Sequence, residues 1–141
     1  LTFITIAQAT QLLSAAMSKA RSSGYKSMGI VVLDASGNIK ASALEDGASM
    51  FRFDIARAKA WGAVGMGVSS RTLGQRAKDN PNFFVSLAAT AEGKFLPQTG
   101  AVVIKDKQGE IIGAMGASGG TGDEDEEICT TAIESIGLQW G

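Results

Sequence analysis

The sequence predicts an α+β fold in which two β-hairpins form an antiparallel sheet with helices packed on it. Two pairs of apolar runs are each joined by a short Asp- and Gly-containing turn, the mark of strands that pair with their chain neighbours. Segments with apolar residues at spacings of three and four precede, separate and follow these pairs, the mark of amphipathic helices. Strands that come in adjacent pairs, instead of alternating singly with helices, argue against a doubly wound parallel sheet.

The first helix begins at Thr5-Ile6-Ala7-Gln8, which has the spacing of a capping box. Ala9, Leu12, Leu13, Ala16, Met17 and Ala20 form its apolar stripe, and Ser22-Ser23-Gly24 ends it. Met28 to Leu33 is a continuous apolar run suited to a central strand. The turn Asp34-Ala35-Ser36-Gly37-Asn38 leads into Ile39 to Leu44, whose mixed character suits a partly exposed strand. A second helix spans Met50 to about Met66, with one stripe of Phe51, Ile55, Ala58 and Gly62 and another of Arg52, Ala56, Lys59 and Ala63. A serine-capped third helix follows Val68-Ser69-Ser70 and stops at Asp79-Asn80-Pro81. Phe83 to Leu87 suits either a helix or a loop by periodicity alone. Ala101 to Ile104, the turn Lys105 to Gly109, and Glu110 to Ser118 make the second hairpin. Thr121 or Asp123 caps a closing helix with the stripe Ile128, Cys129, Ala132, Ile133 and Ile136.

At 141 residues, with no internal repeat or linker, the expectation is one domain over residues 1–141. Thirteen Lys and Arg against fourteen Asp and Glu leave no field of one sign, which argues against nucleic acid or an anionic membrane as partner. No apolar run approaches the roughly eighteen residues of a membrane span. Cys129 is the only cysteine, so no internal disulfide forms and the expected compartment is the cytoplasm; a leader cleaved before this sequence begins would leave no trace in it. The chain contains no histidine, which removes the commonest general base, metal ligand and haem ligand at once.

The most informative stretch is Gly113 to Glu127, where an apolar strand meets a glycine turn and then an acidic helix start. Gly109 to Gly120 followed by Asp125-Glu126 and Cys129, together with Ala15-Ala16 to Gly24, Val31-Val32-Leu33-Asp34-Ala35-Ser36-Gly37, Asp46-Gly47-Ala48 and Asp54 to Ala60, resembles the GlcG/HbpS-like family. These are small haem-binding or haem-degrading proteins, also found as the C-terminal module of some corrinoid adenosyltransferases. The resemblance covers nearly the whole chain. It implies a profilin-like α/β/α sandwich, homo-oligomers that are often octameric, and haem as cofactor for some members, bound in a shallow, partly intersubunit site. Two departures stand out. The family often has Gly-Gly-Leu-Pro-Ile or a close variant where this chain reads Gly100-Ala101-Val102-Val103-Ile104, and histidine ligation is impossible here.

Several constellations carry both a chemical and a structural reading. Ser118-Gly119-Gly120-Thr121-Gly122 before a helix has the form of a phosphate cradle. The acidic residues that follow oppose an anion there, so a structural glycine turn is the stronger reading. Glu124 to Glu127 lacks the spacing of a cation loop and reads as a solvated helix start, so no metal site is expected. Cys129 lies on an apolar stripe and reads as core. The Arg52–Lys59 stripe suits either a bound carboxylate or haem propionate, or an exposed helix face making intersubunit salt bridges. Lys94, in the loop Glu92 to Pro97, would close over the same space. Met50, Met66 and Met115 are available as axial haem ligands by composition only, and none is assigned.

The expected ligand-binding residues are therefore Arg52, Lys59, Lys94, Ser118, Gly119 and Gly120, and the expected function is an oligomeric small-ligand-binding protein. Haem as that ligand rests on the resemblance. The alternatives are a small catabolic enzyme acting on a carboxylate-bearing metabolite, with Lys94, Glu126 or Asp54 moving a proton, and a non-catalytic scaffold.

Overall fold

The computed structural model describes residues 3–141. The elements are α1 (Ile6–Ser22), β1 (Gly29–Asp34), β2 (Ile39–Leu44), α2 (Phe51–Met66), α3 (Ser70–Asp79), α4 (Pro81–Thr90), β3 (Ala101–Lys105), β4 (Ile111–Ser118), α5 (Gly122–Ser135) and β5 (Gln139–Trp140). Both capping boxes have their full geometry. Thr5 accepts from the Gln8 amide at the head of α1, and Thr121, rather than Asp123, caps α5 by accepting from the Glu124 amide.

The two hairpins form one antiparallel sheet because β1 pairs with β4 as well as with β2, giving the order β2-β1-β4-β3-β5. β1 is buried along its whole length, as a strand apolar on both faces requires, while β2 forms an edge and alternates toward solvent. Helices cover both faces. On one, Leu12 and Ala16 of α1 and Ile128, Ala132 and Ile133 of α5 pack with Ile30, Val32, Val102 and Met115. On the other, Ala56, Ala60 and Ala63 of α2 pack with Val31, Leu33, Val103 and Ala114. Leu73, Phe84 and Phe95 make a smaller cluster beyond α2.

The structure decides one reading that the sequence left open and adds one element that the sequence did not predict. Phe83 to Leu87 lies within α4, which starts with Pro81 at a position where a missing N–H costs no hydrogen bond. After α5 the chain returns as the short β5 to pair with β3 at Ile104 and Lys105.

The feature that places the functional site is how closely α2 lies on the sheet. A Cβ on Gly116 would stand 2.6 Å from the Ala56 carbonyl oxygen, and one on Gly29 only 2.5 Å from the Arg52 carbonyl carbon. Glycine at these two strand positions lets the helix backbone approach, which carries Arg52 and Lys59 to the end of β4 where the chain turns into α5.

Candidate functional site

At that end of the sheet lies a cleft of about 500 Å³, lined by the first turns of α2, the loop at residues 96–99, and the turn from Ser118 into α5. Its size falls in the range of small-molecule sites. Gly122 has no side chain where Thr99 passes; a Cβ there would be 3.0 Å from Thr99 Cβ, so the loop closes onto the start of α5.

Lys59 and Asp125 form the floor. Lys59 is 5% exposed and Asp125 2% exposed, and Nζ of one stands 3.1 Å from Oδ2 of the other. Lys59 also donates to the Ala117 carbonyl at 3.2 Å, and Asp125 Oδ1 accepts from the Gly120 amide at 2.9 Å. Burial pushes the Asp125 carboxyl above its ordinary value, against the opposing pull of Lys59, the Gly120 amide and Arg52. These contacts correct two readings of the sequence. The Arg52–Lys59 stripe is not an exposed helix face, since Ala56, Lys59 and Ala63 all face the sheet. The acidic run is not uniformly solvated either: Asp125 points inward, while Glu127 on the same helix is exposed.

Arg52 stands at the rim, half-buried, donating through Nη1 to Ser118 Oγ at 3.2 Å. Among the described residues it makes no ion pair. The carboxylates that share the lining are otherwise engaged: Asp125 by Lys59, and Asp123 by Arg71, whose Nε also pairs with Glu126 at 3.1 Å. Arg52 is thus the cation of this cleft whose charge is left for a guest. Two amides of the glycine turn are not, because Gly120 N–H is taken by Asp125 and Thr121 N–H by Glu124.

Of the residues expected at the site, Arg52, Lys59, Ser118 and Gly120 line this cleft. Gly119 lines an adjoining cleft of about 430 Å³ on the other side of Arg52, with Tyr25, Lys26 and Glu124. Lys94 is placed elsewhere: its ammonium lies 5.3 Å from the centre of the Trp61 ring, a cation–π contact, and Leu96, Gln98 and Thr99 of its loop face the cleft instead. Asp125, Thr99 and Gln98 are the functional candidates that sequence reasoning missed. Cys129 is core as expected; burial pushes its thiol well above the ordinary range. No cluster of metal-ligating side chains is present among the described residues, and no described helix is long and apolar enough to cross a membrane.

The fold and this cleft define a three-layer α+β domain with a small-molecule-sized site at the end of its sheet. Residues 4–134 match the family described as haem degrading protein HbpS-like, and the chain belongs to that family. Solved structures agree. A structure described as a PduOC:heme complex is 25% identical, with 97% of each chain covered and a TM-score of 0.85. A double mutant of HbpS from Streptomyces reticuli is 25% identical over 97% of this chain and 89% of its own, with a TM-score of 0.84. Protein ORFY from Klebsiella pneumoniae is 25% identical over 95% and 90%, with a TM-score of 0.85. No match was found among curated proteins.

Proposed function

We propose that the protein binds a small carboxylate-bearing molecule at Arg52, with haem, held by a propionate, as the principal candidate. The observation that carries this reading is the unpaired guanidinium of Arg52 in a cleft whose carboxylates are already neutralised. An arginine grips a carboxylate through two parallel hydrogen bonds, and a half-buried one does so with less competition from water. Family membership and the haem in the description of the PduOC structure support haem in particular.

The residues present fit one end of haem and not the other. Arg52 and Ser118 suit a propionate, and Ile55 and Leu96 offer apolar contact to the ring. For the iron, the lining supplies no sulfur or imidazole, and Lys59 is held by Asp125 and the Ala117 carbonyl. Tyr25 in the adjoining cleft donates its hydroxyl to Glu127. Recognition therefore runs through the porphyrin carboxylates. Titration with hemin and with metal-free protoporphyrin IX, followed by absorbance and by quenching of Trp fluorescence, tests this. Both ligands should saturate the protein with affinities in the same range; tight binding of hemin with none of the metal-free ring would contradict the reading.

In the same reading the protein is a homo-oligomer, with a second copy covering Met50 and Phe51, which are 73% and 59% exposed beside Arg52. Light scattering tests it, and a strictly monomeric species would contradict it.

A further inference from the structure

We propose that Lys59 is a reactive amine that condenses with the carbonyl of a 2-oxo acid whose carboxylate is held by Arg52. The inference rests on the reading of Arg52 as a carboxylate anchor and adds to it a covalent step. Three observations point to it.

First, Lys59 is the only lysine among the described residues that is buried, and it nevertheless lines the cleft. Asp125 at 3.1 Å is the carboxylate to which its ammonium can pass a proton when a carbonyl enters. Second, the room that Nζ itself occupies is left by a missing side chain. A Cβ on Gly100 would stand 2.6 Å from Nζ, and Gly100 adopts φ +143°, a conformation that favours glycine. Third, the anchor and the amine are brought together by consecutive residues of one strand. Nζ bonds the Ala117 carbonyl and Arg52 Nη1 bonds Ser118 Oγ, and both side chains line the same cleft.

Asp125 balances the step. It takes one proton from the Lys59 ammonium, and the free amine attacks the carbonyl carbon to form a carbinolamine. Asp125 then returns the proton to the carbinolamine hydroxyl, which leaves as water, and the C=N bond forms as an iminium. One ammonium and one carbonyl become one iminium and one water. Because the iminium keeps the positive charge, the buried Asp125 carboxylate regains a cationic partner at the end, and no isolated charge is left in the interior. Burial already raises the proton affinity of Asp125, which favours the first transfer.

The test is to incubate the full chain with pyruvate and cyanoborohydride, then to map the modified lysines by peptide mass spectrometry. The expected result is a reduced pyruvyl adduct confined to Lys59 at low pyruvate. It should be absent in Lys59→Arg, which keeps the cation that pairs Asp125, and at least about tenfold weaker in Arg52→Leu, the loss of one charge-assisted contact. Acetone, which lacks the carboxylate, should label poorly. No adduct, or labelling spread over exposed lysines such as Lys26 and Lys107, would overturn the proposal. Calorimetric titration with pyruvate under the same conditions separates the two claims: Arg52-dependent binding without an adduct leaves the carboxylate anchor standing and removes the imine.

Discussion

Gly100 and Lys59 compete for one volume: the position a Cβ would take on Gly100 is 2.6 Å from Lys59 Nζ. The Gly100 carbonyl meanwhile accepts from the Ala117 amide, which ties the residue to β4. Gly100→Ala therefore combines a strained positive φ with displacement of a buried ammonium. The expected loss of stability is about 2 kcal/mol or more, read as a fall in the urea midpoint. An unchanged midpoint would mean that Lys59 does not need this space.

Breaking the Lys59–Asp125 pair from one side leaves a buried charge without its partner. Asp125→Ala and Lys59→Met should each cost about 3–5 kcal/mol, whereas Lys59→Met combined with Asp125→Leu should cost much less than their sum, since an apolar pair needs no desolvation of charge. Chemical denaturation of the three variants and the parent measures the coupling, and additive effects would show that the two side chains act independently.

The pH dependence has a definite sign. Asp125 has a folded pKa above its ordinary 3.8, through burial. The folded state thus binds its proton more tightly than the unfolded chain does, and this contribution to stability is complete below pH 3.8 and declines as the pH rises through the folded value. Asp125→Asn should remove that part of the slope. Lys59→Met should push the Asp125 titration further up, because an attraction that favours the carboxylate is lost, and carbon-13 detection of the side-chain carboxyl reads both effects.

Cys129 offers a check on the core. Burial, reinforced by the Asp125 carboxylate, raises its thiol well above its ordinary value of 9.0 and keeps it from reagents. A disulfide reagent should react with the folded protein only at the rate of unfolding, and fast labelling under native conditions would place Cys129 at an opening that the structure does not have.

Much of the fold was legible because it is written in local chemistry. The capping boxes at Thr5 and Thr121, the uniformly apolar Met28 to Leu33 and the turn residues around Gly37 and Gly109 each specify their element without reference to the rest of the chain. The site was legible only in part. Five consecutive acidic residues from Asp123 to Glu127 look alike in sequence, and helical phase relative to the turn decides that Asp125 points into the interior. Lys59 shares a helix stripe with Arg52, yet the small residues Gly29 and Gly116, which draw α2 onto the sheet, bury one and leave the other at the rim. Lys94 has no local signal that would send it to Trp61 rather than to the cleft, and β5 has no periodicity in two residues.

The central claim is that a carboxylate guest is recognised by Arg52. Hemin titration of the parent protein and of Arg52→Leu, followed at the Soret band, tests it most directly. The account predicts a saturable shift for the parent and, for the variant, an affinity weaker by about tenfold or more, the worth of a charge-assisted hydrogen bond. Identical titrations of the two proteins, or no saturable shift in the parent, would contradict it.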